Sequence, residues 1–213
     1  GLILAFENKY NVKVHTPYYE SDDNRTEMLA QSGAKNYDLV IVDSPSIYTY
    51  IKAGWLAKLE PGLIPNLKYI NPKWRDTNDQ KSAYSVPFLW GTLGIVYRDD
   101  LVIKTPTKWM DLFRPDESLQ GRIAMYRNTL DMIGASHKAL GHSLNSTDPE
   151  HLELAKRLIL QQVPYVRAYG YLSLTEKSAL ITGEVVASMF YSSDALTLQE
   201  FNEHIKFVLP EEG

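Results

Sequence analysis

The sequence contains no cysteine, and that absence removes three classes together, because zinc ribbons, thiol nucleophiles and disulfide frameworks all require thiols. It does not fix a compartment. No run approaches the roughly 18 consecutive apolar residues that a membrane-spanning helix needs. Nor does the N-terminus show the charged, apolar and small-residue order of a secretory leader. Basic residues are in the minority, 22 Lys and Arg against 26 Asp and Glu, and they are scattered. Without a basic block or stripe, nucleic acid is a poor partner. The net charge of −4 leans mildly toward cationic ligands.

Catalytic signatures are also missing. The five histidines, His15, His137, His142, His151 and His204, show no metal-ligand spacing, and His137 and His142, near one helix end, read as surface residues. The stretch Gly91-Thr92-Leu93-Gly94 lacks the lysine and further glycine of a phosphate loop. No nucleophile elbow or supported pair of catalytic carboxylates occurs. The expectation is a protein that is not an enzyme and uses no cofactor or metal.

What remains is a composition of 44% hydrophobic and 23% charged residues, that of a globular chain. Strand-like and helix-like stretches alternate along it. Residues 1–9 read as the end of a helix, Val12–Thr16 as a short strand and Glu20–Asn24 as a polar connection. A helix over Thr26–Ser32 stops at Gly33. The apolar run Tyr37–Val42 reads as a buried parallel strand, followed by an Asp43-Ser44 turn and a helix to about Trp55. Residues 61–82 form a long polar connection. Strands are expected at Tyr84–Phe88, Thr92–Tyr97, Arg122–Tyr126, Val166–Tyr169, Val185–Phe190 and Ile205–Leu209. Helices are expected at Thr107–Phe113, Asp131–Leu140, from a Thr147 cap to about Gln162, at Thr175–Thr182 and at Ser193–Asn202. Trp90 reads as a core residue. This alternation predicts an α/β fold with mostly parallel strands flanked by helices. Both chain ends fall on apolar rhythm and read as cut from something longer.

Four stretches in register resemble one family: Tyr37-Asp38-Leu39-Val40 with its following turn and the helix end Lys52–Leu56; Tyr84–Gly91; Thr107–Pro115; and Gly183-Glu184-Val185 leading to Tyr191-Ser192-Ser193-Asp194. Together, over essentially all 213 residues, they resemble the periplasmic spermidine/putrescine-binding proteins of ABC transporters. That resemblance implies a two-lobe type II periplasmic binding protein fold, with residues 1–91 as an incomplete first lobe and 92–213 as the second. Hinge crossings would lie near 88–94 and 210–213. It also implies a periplasmic or other extracytoplasmic location, the signal peptide lying outside this sequence. The function implied is capture of a small cationic amine by hinge closure and its delivery to an ABC permease. The alternatives are the extracellular sensing domain of a membrane receptor, such as a histidine kinase or diguanylate cyclase, or a binder of another small solute.

An amine cleft needs carboxylates for ammonium groups and aromatic faces for the methylene chain. By the resemblance, Asp194 falls at a family ligand aspartate and Tyr191 at a tryptophan that lies against the alkyl chain. Asp131 falls at an amine-binding glutamate. Asn128 falls at an aspartate, so one charge is lost there. Asp43 and Ser44 lie on a turn where the family carries small hydroxyl residues, and Asp43 either replaces the charge lost at Asn128 or caps the next helix. Asp131 and Asp194 each have a local alternative as well, as a first-turn carboxylate or a helix cap.

Overall fold

The computed structural model describes residues 1–19, 21–75 and 79–213. Glu20, in the expected 20–24 connection, and residues 76–78 of the 61–82 connection lie outside the described residues. The chain divides into two compact units, Gly1–Leu89 and Trp90–Gly213.

The first unit is helical. It contains α1 (Leu2–Tyr10), α2 (Asp22–Ser32), α3 (Ser44–Lys52) and α4 (Pro72–Arg75), with short 3₁₀ turns at Pro61–Leu63, Pro65–Tyr69 and Gln80–Ser82. Ser21 caps α2 by accepting from the Asn24 amide, and Gly33 closes it in the left-handed conformation, so α2 starts a turn before the expected Thr26. The strands expected at 12–16, 37–42 and 84–88 do not form. A strand exists only where a neighbour takes its ladder hydrogen bonds, and no extended segment pairs with these among the described residues. Leu39 and Ile41, in the apolar run, are accordingly 87% and 60% exposed. Among the described residues, the buried apolar side chains of this unit are Leu29, Ile47 and Tyr50. Asp79 supplies a polar anchor instead. Its carboxylate accepts from the amides of Ala83, Tyr84 and Ser85 and from the Ser85 hydroxyl at 2.7–3.1 Å.

The second unit holds the main core. Its elements are β1 (Leu93–Arg98), α5 (Trp109–Phe113), β2 (Ile123–Met125), α6 (Thr129–Ala139), α7 (Pro149–Gln162), β3 (Val166–Tyr169), α8 (Ala179–Thr182), β4 (Ala187–Tyr191), α9 (Ser192–Gln199) and β5 (Ile205–Val208). The strands form one sheet in the order β3-β2-β4-β1-β5. β2 runs parallel to both β3 and β4, whereas β1 runs antiparallel to both β4 and β5. The α/β class therefore holds, but the sheet is mixed rather than mostly parallel. Side-chain pattern could not reveal this: β1 is buried on both faces, and a strand covered on both sides reads as a parallel one whatever its direction.

Alternate residues of these strands feed two apolar layers, as the two-residue period requires. Ile95, Ile123, Met125, Ala187 and Met189 pack with Trp109, Leu112, Phe113, Met132 and Leu158 of α5, α6 and α7. Val96, Ala124 and Phe190 pack with Leu180, Ala195 and Leu198 of α8 and α9 on the other face. Each fully buried side chain of this size contributes about 1.5–3 kcal/mol. The helix expected at 149 is capped by Asp148, whose carboxylate accepts from the Glu150 amide, rather than by Thr147, because Pro149 already occupies the first helical position. The helix expected from Thr175 is shortened to a single turn at Ala179–Thr182. His137, in α6, is fully buried, contrary to the surface expectation; this part of the helix is covered all round, as the run of buried residues Gly134, Ala135 and Ser136 before it shows. Trp90 is 71% exposed rather than part of the core.

Gly94 in β1 is a position of close approach. A Cβ there would lie 2.5 Å from the carbonyl oxygen of Val208 and 2.6 Å from the Phe207 ring, both on the neighbouring strand β5. Gly94→Ala should therefore lower the stability of the second unit by about 1–3 kcal/mol, read as a lower urea midpoint. An unchanged midpoint would show that β5 moves aside at no cost.

Candidate ligand-binding site

The carboxyl ends of β2, β3 and β4 lie at one edge of the sheet because the three strands are parallel and adjacent. Open α/β sheets bind ligands beyond such ends. Here each end delivers a tyrosine: Tyr126 directly after β2, Tyr171 two residues after β3 and Tyr191 as the last residue of β4. The sheet order places Tyr126 in the middle. Its ring meets Tyr171 edge-on with centroids 5.2 Å apart and Tyr191 edge-on at 5.5 Å. These are favoured aromatic geometries.

Helices α6 and α9 start from the same edge, and each places an aspartate in its first turn, Asp131 and Asp194. The Tyr191 hydroxyl donates to Asp131 Oδ2 at 2.8 Å. The Tyr171 hydroxyl donates to Asp194 Oδ2, and the Ser193 hydroxyl donates to Asp194 Oδ1 at 3.3 Å. Neither aspartate is the helix cap. The cap of α6 is Asn128, whose Oδ1 accepts from the amides of Leu130 and Asp131. The residue at the cap position of α9 is Tyr191, which makes no side-chain cap bond. Helix N-termini attract anions; two carboxylates in the first turns convert this edge into one suited to cations. Tyr191, Asp131, Asn128 and Asp194 are thus brought together in the second unit. Tyr126 and Tyr171 join them without having been singled out from sequence. The signal available for both was an aromatic residue just beyond a strand.

In the first unit, Asp43 and Ser44 sit at the start of α3. Asp43 caps that helix, accepting from the Ser46 amide at 3.2 Å, and its carboxylate pairs with Arg25. Arg25 was not evident from sequence, yet it organises this corner. Its buried guanidinium also donates to the Tyr50 hydroxyl at 3.0 Å, to Asp22 at 2.6 Å and to Ser46 Oγ at 3.2 Å, and it lies over the rings of Tyr19 and Tyr50. Burial alone would make Arg25 easier to deprotonate; the Tyr50 hydrogen bond and the Asp22 charge outweigh it and raise its pKa. Asp43 therefore serves as cap and ion-pair partner together, and Arg25 offsets its charge.

Among the described residues, one grouping could share a cation through three ligand atoms: Asp99, Asp100 and His204, all exposed. Arg98 already holds Asp100, with bonds of 2.8 and 2.7 Å, and holds its carboxyl below the ordinary range mainly through that hydrogen bonding. Lys206 lies 3.6 Å from Asp99. Two cations thus already balance the two carboxylates.

The family described as bacterial extracellular solute-binding protein has a model that matches residues 1–213. The chain belongs to that family. It is 26% identical over 215 residues to the spermidine/putrescine-binding periplasmic protein of Escherichia coli K12, covering 100% of this chain and 61% of the relative. It is 28% identical over 223 residues to the putrescine/cadaverine-binding protein of Pseudomonas aeruginosa, covering 99% and 62%. Among solved structures it is similar to the spermidine/putrescine ABC transporter substrate-binding protein of Streptococcus pneumoniae, with a TM-score of 0.78, 26% identity, and coverage of 99% of this chain and 64% of that one. The fold is that of type II periplasmic binding proteins. The chain spans about three fifths of the length of the curated relatives it matches.

Arg25→Lys keeps the charge but loses the planar fork that reaches several acceptors at once. Amide hydrogen exchange in α2 and α3 should accelerate in this variant by about tenfold or more, for a loss near 1.5 kcal/mol, while β1 and β4 are unaffected. Equal protection in α2 and α3 would show that the first unit does not depend on this guanidinium.

Proposed function

We propose that this protein captures a small cationic amine, of the putrescine or spermidine class, outside the cytoplasm and delivers it to an ABC permease. The observation that carries this reading is the pair of first-turn aspartates, Asp131 and Asp194, joined by three tyrosines at the strand ends. A flexible diamine has two demanding ends and an apolar middle. Its ammonium groups lose water on binding and need carboxylates in return, while its methylenes pack well on aromatic faces that also attract the flanking charge. The edge of this sheet provides both kinds of surface within one unit. The relatives named for spermidine, putrescine and cadaverine support the same ligand class, and the periplasmic setting in the name of the first supports the location.

In this reading the two units act as the two lobes, 1–91 and 92–213, with crossings near 88–94 and 210–213. Closure is stabilised by the difference in ligand affinity between closed and open forms. Asp131 and Asp194 take the ammonium groups and Tyr191 the alkyl chain. Asn128 holds the start of α6 and contributes a polar contact. Asp43 and Ser44 contribute from the first unit, Asp43 as the weaker anchor because Arg25 already occupies its carboxylate.

A thermal-shift screen of the full-length protein with putrescine, spermidine, norspermidine, arginine, thiamine and ferric citrate tests the ligand class. A true ligand at a hundred times its dissociation constant adds about 2.7 kcal/mol to native stability. A rise with the di- and polyamines alone is expected; no shift with any amine would contradict the reading. Asp131→Asn and Asp194→Asn should each weaken amine binding by at least about tenfold, since a charge-assisted hydrogen bond contributes roughly 1.5–3 kcal/mol. Unchanged affinity in both variants, measured by calorimetry, would remove these residues from the site.

A further inference from the structure

We propose that Tyr171 is a positioning residue that fixes the separation of the Asp131 and Asp194 carboxylates and thereby sets which length of diamine binds best. The inference rests on the amine-binding reading above. Tyr171 lies on the loop after β3 and is 54% exposed, so the chain around it does little to hold its ring. Its contacts do. The hydroxyl donates to Asp194 Oδ2, one edge meets Tyr126, and the ring lies 6.5 Å from Phe190 at a tilt of 36°. Tyr126 in turn meets Tyr191, whose hydroxyl donates to Asp131 Oδ2 at 2.8 Å. The two carboxylates are therefore the ends of one continuous series, carboxylate to phenol to ring to phenol to carboxylate.

The two halves of that series are built differently. Tyr191 is the last residue of a central strand and is paired with Leu93 of β1, so Asp131 is held by a group that the sheet itself fixes. Asp194 is held from a loop. An aspartate side chain has several staggered rotamers within easy reach, and the Tyr171 hydroxyl on Oδ2, with the longer 3.3 Å contact of Ser193 on Oδ1, selects the one observed. A diamine longer or shorter than the resulting gap must leave an ammonium poorly paired. Removing the hydroxyl while keeping the ring frees Asp194 to follow ligands of other lengths, at the cost of affinity for the best one.

The test is calorimetry on the full-length protein and its Tyr171→Phe variant with 1,3-diaminopropane, 1,4-diaminobutane, 1,5-diaminopentane and 1,6-diaminohexane. The expected wild-type result is one preferred length. In Tyr171→Phe the affinity for that diamine should fall by about tenfold, the scale of one hydrogen bond to a charged group, and the ratios between lengths should flatten. The same substitution made in an Asp194→Asn background should cost much less, because the two residues act as a unit. A variant that keeps the wild-type ratios, whether its affinities are unchanged or all reduced by one factor, would overturn the inference and leave the amine reading intact. Failure of the wild-type protein to bind any of the four would overturn both.

Discussion

Three parallel strands lying side by side, β3, β2 and β4, impose the constraint on which the candidate site depends. Parallel neighbours end at the same edge, so the residues that leave them must meet there. In this chain those residues are Tyr171, Tyr126 and Tyr191, in the same lateral order as the strands that carry them. The helices that return from β2 and β4 begin at that edge and bring their first-turn aspartates with them. No long-range adjustment is needed to assemble two carboxylates and three rings; strand direction and strand order suffice.

That constraint is enforced by the one strand of the sheet that runs the other way. β1 lies between β4 and β5, pairs Leu93 with Tyr191 and Ile95 with Val208, and leaves no room for a side chain at Gly94. Just before it, Thr92 exchanges hydrogen bonds with Ser192: its carbonyl accepts from the Ser192 amide at 2.9 Å and its amide donates to the Ser192 hydroxyl at 3.3 Å. The start of β1 is thereby tied to the first residue of α9, two positions before Asp194. The register of β1 against β4 and the placement of an expected ligand carboxylate are thus one structural fact. Farther along, the Glu211 amide donates to the Thr107 carbonyl and Glu212 accepts from the Trp109 amide, so the segment after β5 is fastened back onto the start of α5.

Much of the second unit was legible in the sequence because its segments carry their own signals. Pro149 and Glu150 mark a helix start, Gly183 a helix end, and the apolar triplet Ile123–Met125 a strand. The direction of β1 was not legible, since burial on both faces erases the alternation that distinguishes strand types. The first unit reads less well for a related reason. Tyr37–Val42 has the composition of a strand, but composition supplies no partner, and without one the run forms no ladder and leaves Leu39 and Ile41 exposed. Of the site, Tyr191 and Asp194 could be proposed from their place in a family-like stretch, and Asn128 and Asp131 from the register that the flanking stretches set. Tyr126 and Tyr171 had only the weak signal of an aromatic near a strand end, because what marks them is their adjacency across strands far apart in sequence. Arg25 was hidden in the same way: its partners Asp43, Ser46 and Tyr50 lie 18 to 25 residues along the chain.

The central claim is that two carboxylates, not one, anchor the ligand. Calorimetry comparing 1,4-diaminobutane with butylamine on the full-length protein tests it most directly, because the two differ chiefly by one ammonium group. Anchoring at both ends predicts that the diamine binds at least about tenfold more tightly, and nearer a hundredfold where the second ammonium contributes about 3 kcal/mol. Equal affinities would mean that only one carboxylate engages a ligand ammonium, and the two-ended site would fall.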